Sequence, residues 1–172
     1  MKYILFLVFI FICRFGVQGQ PKTMRTGWHS FTIQWIEVDK KSPGKVYIKK
    51  IGADEYSVEG EQRDSKTKDY VTIKGTILYQ GSVLKFNGKI VTKINFINAG
   101  QPCELNGLSI FKASGNRKYW RLQQMLNCDG STTDYIDIFF SIGRDFADNN
   151  FNIKYGIFRV EAFDKPDQDA LG

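Results

Sequence analysis

His29 is the only histidine in the chain, so a serine or cysteine nucleophile would have to take its general base from there. Ser30 follows it directly. Adjacent strand residues point to opposite faces, so the pair is not a dyad, and His29 is expected to be an ordinary half-exposed residue. Paired carboxylates can hydrolyse glycosides when held roughly 5–9 Å apart across a cleft. Asp134 and Asp137 stand three apart on one expected strand and so face opposite ways. Asp145 and Asp148 sit in Arg-Asp-Phe-Ala-Asp-Asn-Asn, which has loop oxygens for calcium but lacks the alternation and the glycine of an EF-hand loop. Neither a phosphate-binding glycine loop nor a dinucleotide fingerprint occurs. The expectation is therefore a protein without catalytic residues, metal or cofactor, with a carboxylate hydrolase ranked last.

The N-terminus carries Lys2, an apolar run over residues 3–13, Arg14, and then Val17 and Gly19 before Gln20. This is the layout of a secretory signal, and the run is shorter than the roughly 20 residues of a bilayer span. We expect a signal peptide over residues 1–19, a secreted or periplasmic product, and no stable membrane span once it is removed. Cleavage would take the basic count from 24 to 22 against 18 acids, a net charge of +4. That modest, dispersed surplus does not describe a nucleic-acid site. Cys103 and Cys128 would be the remaining cysteines, and an oxidising compartment would join them in a disulfide.

Period-two alternation dominates the rest, and helical periodicity is scarce. Strands are expected over residues 28–38, 45–51, 56–60, 70–79, 83–86, 89–98, 105–112, 118–126, 133–141 and 151–163. Gln80-Gly81 and Asn87-Gly88 read as turns, the second as a two-residue hairpin tip. Residues 61–69 read as a solvated loop, 144–150 as room for one helical turn, and 164–172 as a flexible acidic tail. About nine short strands in a meander predict one all-β domain over residues 20–163, an antiparallel β-barrel or β-sandwich with one disulfide.

The stretch from Cys103 to Cys128 has its midpoint between Gly115 and Asn116. Folding the chain there sets Phe111 against Trp120, Ser109 against Leu122, Leu105 against Leu126 and Cys103 against Cys128, all on one face. A three-residue loop, Asp129-Gly130-Ser131, then keeps Ile136, Ile138 and Phe140 on the side of Trp120 and Leu122, since a one-residue slip would reverse them. The opposite face carries Lys112, Tyr119, Arg121, Gln123, Tyr135 and Asp137, with Asp137 opposite Gln123 and diagonal to Arg121. Tyrosine, arginine, amide and carboxylate on one rigid sheet form a candidate recognition surface.

Residues 117–121 also mix basic and aromatic residues, as single-stranded nucleic-acid sites do, but the alternation sends Trp120 inward and Tyr119 and Arg121 outward. Thr133-Asp134-Tyr135 is similar to one short motif of the lipocalin family, small exported β-barrels that carry apolar ligands. That family's Gly-x-Trp is absent, because Gly27 and Trp28 are adjacent, and no membership follows. The leading expectation is an exported, non-catalytic binding protein for a protein or glycan partner, such as an inhibitor. The alternative is a small barrel carrying an apolar ligand. Nucleic acid is not an expected partner.

Overall fold

A computed structural model describes residues 23–37 and 44–141. The expected signal peptide, the strand at 151–163, the turn at 144–150 and the acidic tail lie outside the described residues. Eight strands form a closed antiparallel barrel in which each pairs with its chain neighbour. They are β1 Gly27–Ile33, β2 Lys45–Lys50, β3 Glu55–Arg63, β4 Tyr70–Gln80, β5 Val83–Lys93, β6 Cys103–Lys112, β7 Tyr119–Leu122 and β8 Ile136–Phe139. Pairing of Phe31 with Ile138 and of Ile33 with Ile136 closes β1 on β8. Of the two architectures expected, the molecule is the barrel.

The alternation read from the sequence sets the interior. Phe31, Tyr56, Ile73, Ile77, Leu84, Phe86, Phe111 and Leu122 are among its fully buried side chains. Eight strands enclose a space that side chains can largely fill, and a cavity of about 110 Å³ remains beside Ile90, Leu122 and Ile136. Phe86 and Phe111 meet edge to face at 6.2 Å between ring centroids.

The Asn87-Gly88 hairpin is not formed. A two-residue turn at Gly81-Ser82, with Gly81 at φ 67°, pairs Gln80 with Val83. That register runs on for the whole of β4 and β5 and sets Gly88 opposite Gly75. Gly88 is in turn opposite Gly107 of β6, so three glycines form a row on the inward face. A Cβ on Gly88 would lie 2.3 Å from the Lys74 carbonyl oxygen and 2.6 Å from the Gly75 Cα. Here the strands are so close that only glycine fits at positions 75 and 88, with the Phe86 ring over both, while Gly107 has open space and is favoured by its φ of 90°. What reads locally as a turn is the bend that lets the sheet close. The expected loop at 61–69 is likewise shorter, because Glu61 to Arg63 continue β3 opposite Tyr70 to Thr72.

The disulfide joins Cys103 to Cys128, with the Cα atoms 5.5 Å apart. Gly115-Asn116 does form the tip of the β6–β7 connection, with Gly115 at φ 58°. The register differs from the expected one by two residues, since Phe111 opposes Leu122 and Lys112 opposes Arg121. A shift of two keeps every side chain on its face, so Trp120 is buried and Arg121 points outward. One further backbone bond, from the Gln123 N–H to the Ile110 carbonyl at 2.8 Å, follows before the chain leaves β6. The cysteines therefore staple the start of β6 to the loop before β8 instead of closing a regular ladder.

Candidate functional site

The outward faces of β6, β7 and β8 carry Lys112, Tyr119, Arg121 and Asp137, and Gln123 and Tyr135 stand just past the end of β7 and just before β8. Lys112 opposes Arg121 and Arg121 opposes Asp137, so the three form one row across the strands. Asp137 is thus directly opposite Arg121, not opposite Gln123. The reason is the position of the extra residue that keeps the faces in phase. Leu122 falls opposite Ile136 by continuation of the β7–β8 register, whereas Met125 bonds Asp134 through its carbonyl and Leu126 bridges Thr133. Two residues, Gln123 and Gln124, therefore oppose the single Tyr135, which is a β-bulge. The sequence reading put that residue in the turn; the parity it secures is the same.

Arg121 is held on three sides. Its Nε donates to Asp137 Oδ1 at 2.8 Å and its Nη2 to Asp137 Oδ2 at 2.7 Å, a bidentate pair that is strong and fixed in direction. Its guanidinium carbon lies 4.4 Å from the Tyr135 ring centroid and 5.1 Å from that of Tyr119, distances at which a cation is attracted to the ring. The Arg121 side chain is 21% exposed and that of Asp137 9%. The carboxylate raises the Arg121 guanidinium still further above its ordinary range, so it is charged at any pH the fold survives. The Gln123 amide donates to the Arg121 carbonyl at 2.8 Å, and the Tyr135 backbone N–H donates to Gln34 Oε1.

Between these groups lies an open cavity of about 250 Å³ lined by Lys112, Ser114, Arg117, Arg121, Gln123, Met125 and Tyr135. Four of the six expected residues line it, and Tyr119 and Asp137 brace Arg121 from behind. Ser114, Arg117 and Met125 were missed. Carrying the period-two pattern from Tyr119 back to Arg117, and from Lys112 on to Ser114, would have found two of them.

A second polar group was also missed. Asp134 is buried, with Oδ1 accepting from Trp35 Nε1 at 2.8 Å and Oδ2 from Asn127 Nδ2 at 2.7 Å and Thr92 Oγ1 at 3.3 Å. It faces away from Asp137, as the spacing required, so the two form no catalytic pair. His29 is fully buried, not half-exposed. It faces inward with Phe31 and Ile33, its Nδ1 2.8 Å from the Phe139 carbonyl oxygen and its Nε2 3.0 Å from that of Arg25. Among the described residues no cluster of three or more histidine, cysteine, aspartate or glutamate side chains is disposed to hold a metal ion. No helix among them is long and apolar enough to cross a membrane.

Residues 18–140 match the model of the PM1083 family. A protein of Pasteurella multocida (strain Pm70), described as uncharacterized protein PM1083, is 38% identical over 115 residues, which span 66% of this chain and 72% of the relative. No solved structure matches the chain.

Proposed function

Because the chain belongs to the PM1083 family, whose Pasteurella relative brings no stated activity, we propose from its own surface that it is an exported, non-catalytic recognition protein that binds a partner through the outer face of β6, β7 and β8. The observation that carries this reading is Arg121, fixed by Asp137 between two tyrosine rings at the edge of an open cavity. A preorganised arginine flanked by tyrosines loses little freedom on binding, and these residue types dominate interface hot spots. The interior supports surface binding over an apolar cargo: Phe31, Phe86 and Phe111 are fully buried in it, and the space left beside Leu122, Ile136 and the disulfide is about 110 Å³, below the roughly 300 Å³ of a ligand pocket. The disulfide is consistent with export to an oxidising compartment.

The test is recovery of partners from envelope and medium fractions by immobilised wild type, Arg121→Ala and Lys74→Ala. Lys74 lies on β4, away from the proposed face. A partner that survives Lys74→Ala but falls about tenfold or more with Arg121→Ala supports the reading. Equal recovery by all three proteins rules the face out.

A further inference from the structure

The charges around the cavity say more about what it takes. Lys112, Arg117 and Arg121 all line it, and among the described residues no carboxylate does. Asp137 is committed to Arg121 through both its oxygens. The ion pairs among the described residues join Arg63 to Glu61, Lys74 to Glu59, Lys89 to Glu104 and Arg121 to Asp137. Lys112 and Arg117 belong to none of them. Arg117 instead lies 5.7 Å from the Tyr119 ring centroid. Two cations without counter-charges among the described residues thus share one concave wall with a third that is only locally balanced. A concave site lined by one sign of charge concentrates the opposite sign.

We propose that the cavity is a docking site for an acidic segment of a partner protein, with Lys112 and Arg117 taking its carboxylates. This rests on the recognition reading above and adds the chemistry of the ligand. Two features favour a peptide over an acidic glycan. Sugars stack on bare aromatic faces, whereas Arg121 lies over Tyr135 and both Arg121 and Arg117 lie over Tyr119. Met125 beside Tyr135 adds an apolar wall of a kind enriched in protein interfaces. Arg121, with two N–H groups on Asp137, keeps others for a further acceptor. Asp137 thereby acts as a positioning residue, aiming the guanidinium without touching the ligand.

The test uses the full chain with its disulfide intact and a fluorescein-labelled decaglutamate peptide, read by anisotropy at low and at physiological salt. The Lys112→Ala/Arg117→Ala double variant is expected to weaken binding about tenfold or more. A Lys49→Ala/Lys50→Ala double variant removes the same charge from exposed positions of β2 and is expected to change it by about twofold at most. Lys112→Arg/Arg117→Lys, which keeps both charges, is expected to bind nearly as wild type and shows that loss in the alanine pair is not misfolding. Equal losses in the two alanine pairs would mean that net charge alone attracts the peptide, and the site assignment fails. A silent decaglutamate with tight binding of polygalacturonate would overturn the peptide in favour of a glycan. If Arg121→Ala loses a natural partner but decaglutamate does not bind, the acidic ligand falls and the recognition face stands. If Arg121→Ala loses none, the face itself falls.

Discussion

The barrel has two unlike halves. From β3 to β6 the strands are nine to eleven residues long and their ladders run without interruption. From β7 to β8 they are four residues long, and β7 meets β6 only at Phe111–Leu122 and Lys112–Arg121. The long half holds itself by backbone pairing and by inward aromatics. The short half needs side-chain devices: the Cys103–Cys128 staple, the buried Asp134 cluster and the Arg121–Asp137 pair. All the residues lining the cavity belong to the short half or its margin. A region with few ladder bonds has its backbone free to bulge and its side chains free to gather, and binding sites are drawn from such regions.

The largest expected effect strikes the long half. Gly88→Val adds a Cβ where backbone atoms of β4 already stand 2.3 and 2.6 Å away, so the β4–β6 sheet must open. We expect a loss of about 3 kcal/mol or more in urea unfolding, with the whole barrel affected. A loss below about 1 kcal/mol would mean the glycine row is not what closes the sheet. Next comes the staple. Cys103→Ser/Cys128→Ser frees a loop with a sequence separation of 25, and about 3 kcal/mol is expected from the chain-entropy account. The diagnostic measurement is amide hydrogen exchange. Protection should fall first in β7, β8 and the 123–132 connection while β4 and β5 keep theirs. Uniform loss would show one cooperative unit and erase the distinction between the halves.

The two halves also differed in how far the sequence could be read. In the long half alternation marked the strands, and the corrections, the turn at Asn87-Gly88 and the loop begun at Glu61, are local chemistry overruled by register. Once Gly81-Ser82 fixed the pairing, Asn87 and Gly88 fell in mid-strand. In the short half the faces were legible and the partners were not. Period two survives a shift of two residues, so Trp120 inward and Arg121 outward could be read while Phe111–Leu122 could not. The bulge at Gln123-Gln124 left no mark in composition that a three-residue turn would not also leave. The buried hydrogen bonds of His29 and Asp134 reach across 110 and 99 residues of sequence, to Phe139 and Trp35, and no local pattern announces contacts of that range.

Asp134→Ala sharpens the comparison within the short half. It leaves Trp35 Nε1, Asn127 Nδ2 and Thr92 Oγ1 without the acceptor they share. Stranding buried donors costs about 1–3 kcal/mol, so we expect about 2 kcal/mol in thermal or urea unfolding. Anisotropy with decaglutamate should change little, because Asp134 faces away from the cavity. Loss of peptide binding equal to that of Lys112→Ala/Arg117→Ala would instead tie the cluster to the site.

The smallest effect is one of pH and concerns the seam where β1 closes on β8. Both ring nitrogens of His29 face carbonyl oxygens, yet a neutral imidazole has one N–H to give. Only the imidazolium would satisfy both carbonyls. Burial acts against that charge and is the larger influence, so His29 is held below its ordinary value of 6.5, the two carbonyls offsetting part of the shift. The unfolded chain then takes up a proton before the folded one as acidity rises. Uptake by the unfolded state favours unfolding, so the His29 contribution is complete above about pH 6.5 and is lost as pH falls from there toward the depressed folded value. Unfolding free energies of wild type and His29→Gln, measured between about pH 7.5 and 5.5, isolate it from the carboxylates that titrate lower. Wild type is expected to lose stability on acidification faster than the variant. The opposite slope, with wild type gaining on the variant as pH falls, would mean that the paired carbonyls outweigh burial and that the seam is clasped by a cation.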